Sequence, residues 1–303
     1  MAGPGASCAV PFPFFRPKEC LITCRDRDDG GGAQISARIS TMIFAELKGL
    51  TYAHSPVADV AHVPAGMSPE DWSRSWEEFF NLGAWSLQAE AVERVGIYPV
   101  VAVAKPHRFL PRSRRLYVVA HCHKVTDHHP AAWAAIAPVL KKKYGLSPKP
   151  TLPGYDDGRV QIAVHLRRGD VGASGQFSER FTPDEVVLSR VRRVLEAVGP
   201  DRATVRLFSQ GSPDDFRAFA ELGVHLHLDD DVFETFHHFV QSDLLFVAKS
   251  TFSYLGGVIG GNVCICEPFW HPSLPGWLRP EELDTSDLAR LLKDRARSGP
   301  LTA

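Results

Sequence analysis

The stretch Val160-Gln161-Ile162-Ala163-Val164-His165-Leu166, followed at once by Arg167-Arg168-Gly169-Asp170, sets the reading of the whole chain. Its first seven residues are dominated by β-branched and other apolar side chains, the composition of a buried strand. Two adjacent arginines and an acid then stand where that strand runs out. In open parallel sheets, ligands bind at the carboxyl ends of the strands, and paired guanidiniums there clamp phosphate oxygens through bidentate, charge-assisted hydrogen bonds. A polyphosphate ligand is implied, with Asp170 orienting one arginine and His165 offering a ring nitrogen to a ribose or base. The alternative is a solvent-facing Arg–Asp pair at a strand end.

Downstream, strands are expected at Thr204 to Phe208, Val224 to Leu228, Leu244 to Val247 and Val263 to Cys266, with helical stretches between them. Thr182-Pro183-Asp184-Glu185 has the hydroxyl cap, first-turn proline and acid of a helix start, and predicts a helix to about Ala197. Ser212-Pro213-Asp214-Asp215 repeats the signal. Upstream, Leu146 to Gly158 is rich in Pro, Gly and Asp and reads as the linker between an N-terminal unit, 1–147, and a C-terminal unit, 148–303. In the first unit, strands are expected at Cys20 to Cys24, Pro99 to Ala104 and Leu116 to Ala120. Helices are expected from Ala33 to Lys48, ended by Gly49, and from Ser68 to about Asn81. This alternation is that of an α/β chain with parallel sheets.

With 303 residues, 44% of them hydrophobic, the chain is long enough for about two cores, and disordered or fibrous architecture is excluded. Its 34 basic residues balance 35 acidic ones, so no global field favours nucleic acid or an anionic membrane, and any partner is recognised locally. The short basic runs Arg112 to Arg115 and Lys141 to Lys143 read as solvated faces. No apolar run is long enough to span a bilayer, and Pro11 and Pro13 interrupt the apolar amino terminus, which is wrong for a signal peptide. A cytoplasmic location is expected, and the secretory pathway only if a leader is missing. Six scattered cysteines, Cys8 among them, fit free thiols in a reducing compartment.

Two further clusters carry chemistry. Lys249-Ser250-Thr251-Phe252-Ser253-Tyr254 places hydroxyls and backbone N–H groups at the start of a small-residue helix, a ready anion site that is otherwise ordinary N-capping. Asp28-Asp29-Gly30-Gly31-Gly32-Ala33-Gln34 is a glycine-rich turn that admits a ligand close to the backbone, or simply a tight turn; it lacks the spacing of the dinucleotide fingerprint. His121-Cys122-His123 with His128 and His129 is discounted as a metal site, since His121 and His123 project to opposite faces of a continued strand. His237-His238 reads as a pair on a helix surface. No G-x-S-x-G elbow, P-loop or H-E-x-x-H motif is present, which removes the commonest hydrolase, nucleotidase and metalloprotease readings.

Taken in order, Gly31-Gly32-Ala33-Gln34, His165 to Asp170 and Lys249 to Tyr254 resemble the GDP-fucose-dependent fucosyltransferases of the α1,6 nodulation type and their α1,2 and protein O-fucosyl relatives. Thr51 to His54, Leu207 to Gln210 and Phe269 to Pro272 support the match less specifically, and the whole spans about 250 residues. The resemblance implies a GT-B-like pair of Rossmann-type domains facing a cleft, GDP-fucose as donor, a glycan or other hydroxyl acceptor, inversion at the anomeric carbon and no metal or other cofactor. It implies that Arg168 binds the β-phosphate and stabilises the leaving GDP while Arg167 supports the motif. It further implies that His165 contacts the nucleoside, that Ser250, Thr251 and Ser253 hold the diphosphate, and that Asp243 reads guanine. Gly31, Gly32 and Gln34 then line the donor from the N-terminal side. Val171 and Gly175 stand where the α1,6 enzymes have a basic residue and an acid, and Ser209-Gln210-Gly211 replaces an acid pair of some relatives. The general base is thereby unassigned, with Asp29 and Glu179 as equal candidates. A non-catalytic nucleotide-sugar or glycan-binding protein, and a transferase using another nucleotide sugar, are the competing readings.

Overall fold

The structure, a computed structural model, describes residues 20–25, 29–112, 114–155 and 157–297. Its first half runs β1 (Cys20–Cys24), α1 (Gly31–Lys48), β2 (Thr51–His54), α2 (Pro69–Phe80), β3 (Leu87–Gln88), α3 (Ala89–Val95), β4 (Val100–Ala102), β5 (Arg115–Val119), α4 (His123–Thr126) and α5 (Pro130–Gly145). The second runs β6 (Val160–His165), α6 (Asp184–Val198), β7 (Ala203–Ser209), α7 (Arg217–Glu221), β8 (His225–Leu228), α8 (Val232–Gln241), β9 (Leu244–Val247), α9 (Thr251–Gly260), β10 (Val263–Cys266) and α10 (Thr285–Arg297). The fold is α/β, as the alternation predicts. Among the described residues no helix is long and apolar enough to cross a membrane.

Each half forms one five-stranded sheet, and every strand pair is parallel. The second sheet has the order β10-β9-β6-β7-β8, so the chain builds outward from β6 on one side, then returns to place β9 and β10 on the other. Relabelled from its own first strand this is the Rossmann order, whose ligand crevice opens where the order reverses, between the carboxyl ends of β6 and β9. The first sheet, β3-β2-β1-β5-β4, reverses in the same manner between β1 and β5.

Local sequence explains the elements that frame these crevices. The Ser68 hydroxyl accepts from the Asp71 backbone N–H at 3.0 Å to start α2, and Gly49 ends α1 in the left-handed conformation with φ 66°. The small-residue run of α9 permits close packing: a Cβ on Gly256 would stand 2.7 Å from that of Phe239 on α8. Helix α6 departs from expectation, because Thr182 does not cap it; its hydroxyl donates instead to Glu267 at 2.8 Å, and the helix opens from Pro183. The strand β2 escapes prediction because Tyr52 and His54 bring polar atoms into it, which satisfy each other at 3.0 Å.

One aromatic core joins the two halves. Trp76 and Phe80 of α2 stack in parallel, and Trp76 also meets Phe252 of α9 edge to face at 6.3 Å, while Phe80 meets Phe236 of α8 at 4.7 Å. Trp133 of α5 packs on Tyr254 of α9 at 5.7 Å. Three surface expectations are corrected by this packing. His237 and His238 are buried in α8, where their Nδ1 atoms meet the hydroxyls of Tyr144 and Tyr155, each at 2.9 Å. Lys143 is buried too, its ammonium donating to the backbone carbonyls of Leu82 and Ala84 and to the Ser86 hydroxyl.

Candidate functional site

At the carboxyl ends of β6 and β9 lies a recess with about 380 Å³ of empty space, open to solvent and lined by Arg167, Arg168, Arg180, Arg190, Thr182 and Glu267 among others. The strand order places this recess where a Rossmann sheet binds ligands. Arg167 and Asp170 face each other as a fork, Nε to Oδ1 at 3.1 Å and Nη2 to Oδ2 at 2.6 Å. The remaining terminal nitrogen of Arg167, Nη1, donates to the Ser250 hydroxyl at 3.3 Å. Ser250 is the N-cap of α9, so the guanidinium stands at the positive end of that helix. Two positive features converge there on a recess that water reaches.

Arg168, for which the resemblance implies the β-phosphate role, also lines the recess, but its guanidinium is held by protein groups on the α6 side. Its Nη1 donates to the Arg167 carbonyl and its Nη2 to the Thr182 carbonyl, both at 2.8 Å, and Nη2 also meets Asp184. Its guanidinium lies 4.3 Å from the Phe181 ring centroid. Arg168 ties the loop after β6 to the start of α6. Glu267, after β10, went unnoticed in the sequence and organises the floor of the recess: it accepts from Thr182 and Arg190 and lies 3.6 Å from Lys249. Burial alone pushes its carboxyl upward, but the hydrogen bonds from Arg190 and Thr182 outweigh that and hold it below the usual carboxylate range. A lone acid followed directly by Pro268 carries no sequence signal.

His165 ends β6 with its ring packed 5.2 Å from Phe239 and 6.2 Å from Phe252. Burial, with the Arg167 charge beside it, pushes its pKa down to about 3, so the ring is neutral. Its Nδ1 is buried with no hydrogen-bond partner. Thr251 meets His271 Nε2 at 3.2 Å, and the buried Ser253 hydroxyl donates to the Ser250 carbonyl at 3.5 Å. These two hydroxyls serve the surroundings of α9, and Ser250 is the one that faces an arginine.

The remaining candidates lie outside the recess. Gly31 packs closely on Trp76 of its own half, while a Cβ on Gly32 would make an ordinary 3.4 Å contact with the Phe252 backbone. Gln34 is buried, donating to the Ala58 carbonyl at 2.9 Å and accepting from Arg38 at 3.1 Å. Asp29 accepts from the Gly30 N–H at 2.9 Å, and its neighbour Asp28 lies outside the described residues. Glu179 is exposed beside Arg180, at 3.5 Å. Asp243 sits at the amino end of β9, where its carboxylate accepts from the Gln161 N–H at 2.8 Å. That is the opposite edge of the sheet from Arg167.

The strand after β5 does not continue. Val119 ends it, the chain turns into α4, and the His121 and His123 rings stack on each other at 5.2 Å rather than facing apart. His123, Asp127 and His271 thereby form a cluster whose candidate ligand atoms all lie within 4.8 Å of one another.

The fold and the recess define an α/β chain of two parallel sheets with an arginine-lined recess at the carboxyl ends of the second. No protein-family model matches the chain, and no curated protein matches it. Among solved structures, it is similar to POFUT1 in its apo-form, with a TM-score of 0.48 and 11% identity over 84% of this chain and 99% of that one. It is also similar to a mutant of Arabidopsis thaliana FUT1 in complex with GDP, with a TM-score of 0.42 and 11% identity over 87% of this chain and 72% of that one. A third is the Bradyrhizobium NodZ fucosyltransferase, at 0.35 and 13% identity over 83% of this chain and 96% of that one.

Proposed function

We propose that this protein is a glycosyltransferase that moves fucose from GDP-fucose to a hydroxyl acceptor with inversion, and that the donor diphosphate sits between Arg167 and the head of α9. The observation that carries the reading is the Arg167–Ser250 contact at the crevice between β6 and β9. The ordered motifs at 31–34, 165–170 and 249–254 support the choice of donor. Arg167, not Arg168, is the guanidinium for the phosphates in this reading, because it stands at the N-cap of α9 and is the more exposed of the two, 27% against 14%, whereas Arg168 is tied to Thr182 and Asp184 at the start of α6. As the bond from the anomeric carbon to the β-phosphate oxygen breaks, Arg167 and the first-turn N–H groups of α9 stabilise the charge left on GDP. The acceptor oxygen bonds to that carbon from the opposite face and gives up its proton to a carboxylate base, for which Asp29 and Glu179 are the candidates. His165, neutral and with an unpartnered Nδ1, hydrogen-bonds the nucleoside. This arrangement supplies the positive charge at the diphosphate from protein groups alone.

A second reading is favoured by one observation: Asp170, Asp184 and Glu267, the carboxylates at the recess, are all ion-paired with arginine. A protein that binds the nucleotide sugar without transferring it has no need of a base. Asp29 and Glu179 remain the base candidates of the transferase reading.

A thermal-shift titration with GDP, GDP-fucose, GDP-mannose and UDP on the wild type and Arg167→Ala tests the site. Ligand at a hundred times its Kd stabilises by about 2.7 kcal/mol. A rise with GDP and GDP-fucose that vanishes in Arg167→Ala is expected; no rise with any nucleotide overturns the reading. Preference for another nucleotide sugar redirects the donor assignment, and release of GDP that depends on an added acceptor separates a transferase from a binder.

A further inference from the structure

The crevice of the first sheet, where β5 ends, meets the second half of the chain at His271. His123 and Asp127 are four residues apart across α4, which places them on one face, and His271 follows β10 and reaches back across a sequence separation of 144 residues. His271 Nδ1 lies 3.2 Å from one Asp127 oxygen, and His123 Nδ1 lies 3.8 Å from the other, beyond hydrogen-bond reach. Both the His123 Nδ1 and that second oxygen, Oδ1, are buried with no hydrogen-bond partner. Two complementary polar atoms withdrawn from water and aimed at each other across a gap are costly unless something fills it.

We propose that His123, Asp127 and His271 bind a divalent cation of the zinc class, which ties the first half of the chain to the second. Two imidazole nitrogens and one carboxylate are a borderline-soft donor set, suited to zinc and its first-row neighbours rather than to magnesium or calcium. With bonds of about 2.0–2.1 Å, a tetrahedral zinc holds adjacent ligand atoms roughly 3.3 Å apart; the three ligand atoms here lie within 4.8 Å of one another, so the cation draws them together by small side-chain rotations and leaves a fourth position for water.

The surroundings are those of a supported metal ligand. With Nδ1 of His271 turned to the cation, its Nε2–H donates to the Thr251 hydroxyl at 3.2 Å, which fixes tautomer and ring orientation. Tyr254 stacks on the His271 ring at 4.8 Å, and Trp133 lies parallel to the His123 ring at 6.2 Å. An apolar wall of this kind limits solvent access to the site. The site stands independently of the donor reading, because its test reads metal and not nucleotide.

The full chain, stripped with a chelator and dialysed, is titrated with Zn²⁺ by calorimetry and with Co²⁺ by visible absorption. One cation per chain is expected, with the ligand-field bands of a tetrahedral Co²⁺ site and a Tm that rises with free Zn²⁺. His123→Ala and His271→Ala are expected to weaken binding more than about 100-fold, and Thr251→Val about 10-fold with the stoichiometry kept, the lower end of what loss of an outer partner costs. His227→Ala, which removes an imidazole paired with Asp230 elsewhere, is expected to bind as the wild type does. Absence of ligand-field bands in the wild type, or equal affinity in the wild type and His271→Ala, overturns the proposal and leaves the cluster a hydrogen-bonded strut.

Discussion

Arg167 donates through Nη1 to the Ser250 hydroxyl at 3.3 Å, a contact between residues 83 apart in sequence that joins the loop after β6 to the N-cap of α9. The two motifs meet because the chain returns past β6 to lay down β9 beside it, so the ends of these strands become neighbours. Arg167 and Arg168 are adjacent in sequence yet have different work. Arg167→Ala is expected to abolish the GDP-induced Tm rise while leaving the unliganded Tm within about 1 °C or so of the wild type, as befits a part-exposed ion pair. Arg168→Ala strips the Thr182 carbonyl and Asp184 of their donor and is expected to cost about 2 kcal/mol in denaturant unfolding. The reverse pattern in the two variants would return the phosphate role to Arg168.

Glu267 links pH to stability. Its carboxyl titrates below its unfolded value because Arg190 and Thr182 donate to it, against the opposing pull of burial. A carboxylate lowered in this way contributes its full stability above the unfolded value of about 4.3, and loses it as pH falls through the folded one. Glu267→Gln is therefore expected to unfold more easily at pH 7 and to show a shallower loss of stability on acidification than the wild type. Urea denaturation at a series of pH values checks both; parallel curves for the two proteins would mean that Glu267 is not the group responsible.

How much of this was legible in the sequence follows from how local each feature is. The strand at 160–166, the cap at Ser68 and the ordered motifs are read from residues a few positions apart, and the α/β class follows from them. Lys143, His237 and His238 look like surface residues because their types usually are; only the partners supplied by Leu82, Tyr144 and Tyr155 from distant elements make burial affordable. Glu267 was invisible for the same reason, and His271, within the Phe269 to Pro272 segment, gave no sign of its partners Asp127 and Thr251. The turn after Val119 was the costliest omission, since it brings the histidine rings to one side and creates the cluster with Asp127.

The glycines that open α1 are a packing device in this structure. A Cβ on Gly31 would lie 2.2 Å from the Trp76 ring, whereas one on Gly32 would make an ordinary 3.4 Å contact with Phe252. Gly31→Ala is expected to cost about 1–3 kcal/mol by overpacking the aromatic core, and Gly32→Ala no more than about 0.5 kcal/mol. Thermal unfolding of the two single variants decides; equal loss would mean the core yields at Trp76.

Asp243 offers the sharpest separation of inherited role from observed geometry. Its carboxylate accepts from the Gln161 N–H at 2.8 Å at the amino edge of the sheet, while its backbone N–H and carbonyl pair with Gln161 and Val263. Register sets Ile162 against Leu244 and so Gln161 beside Asp243; four residues of β6 lead from there to His165, about 13 Å along the strand at about 3.3 Å per residue. A base bound at Asp243 with its phosphates at Arg167 would require the nucleotide to run the length of β6, from the carboxyl edge of the sheet to its amino edge. Asp243→Asn is expected to destabilise the fold by about 1–3 kcal/mol, through a weakened bond to the Gln161 N–H, and to leave the ratio of GDP to UDP affinity unchanged. Loss of that ratio in a folded Asp243→Asn protein, measured by competition binding, would put the base at the amino edge and remove the diphosphate from the head of α9.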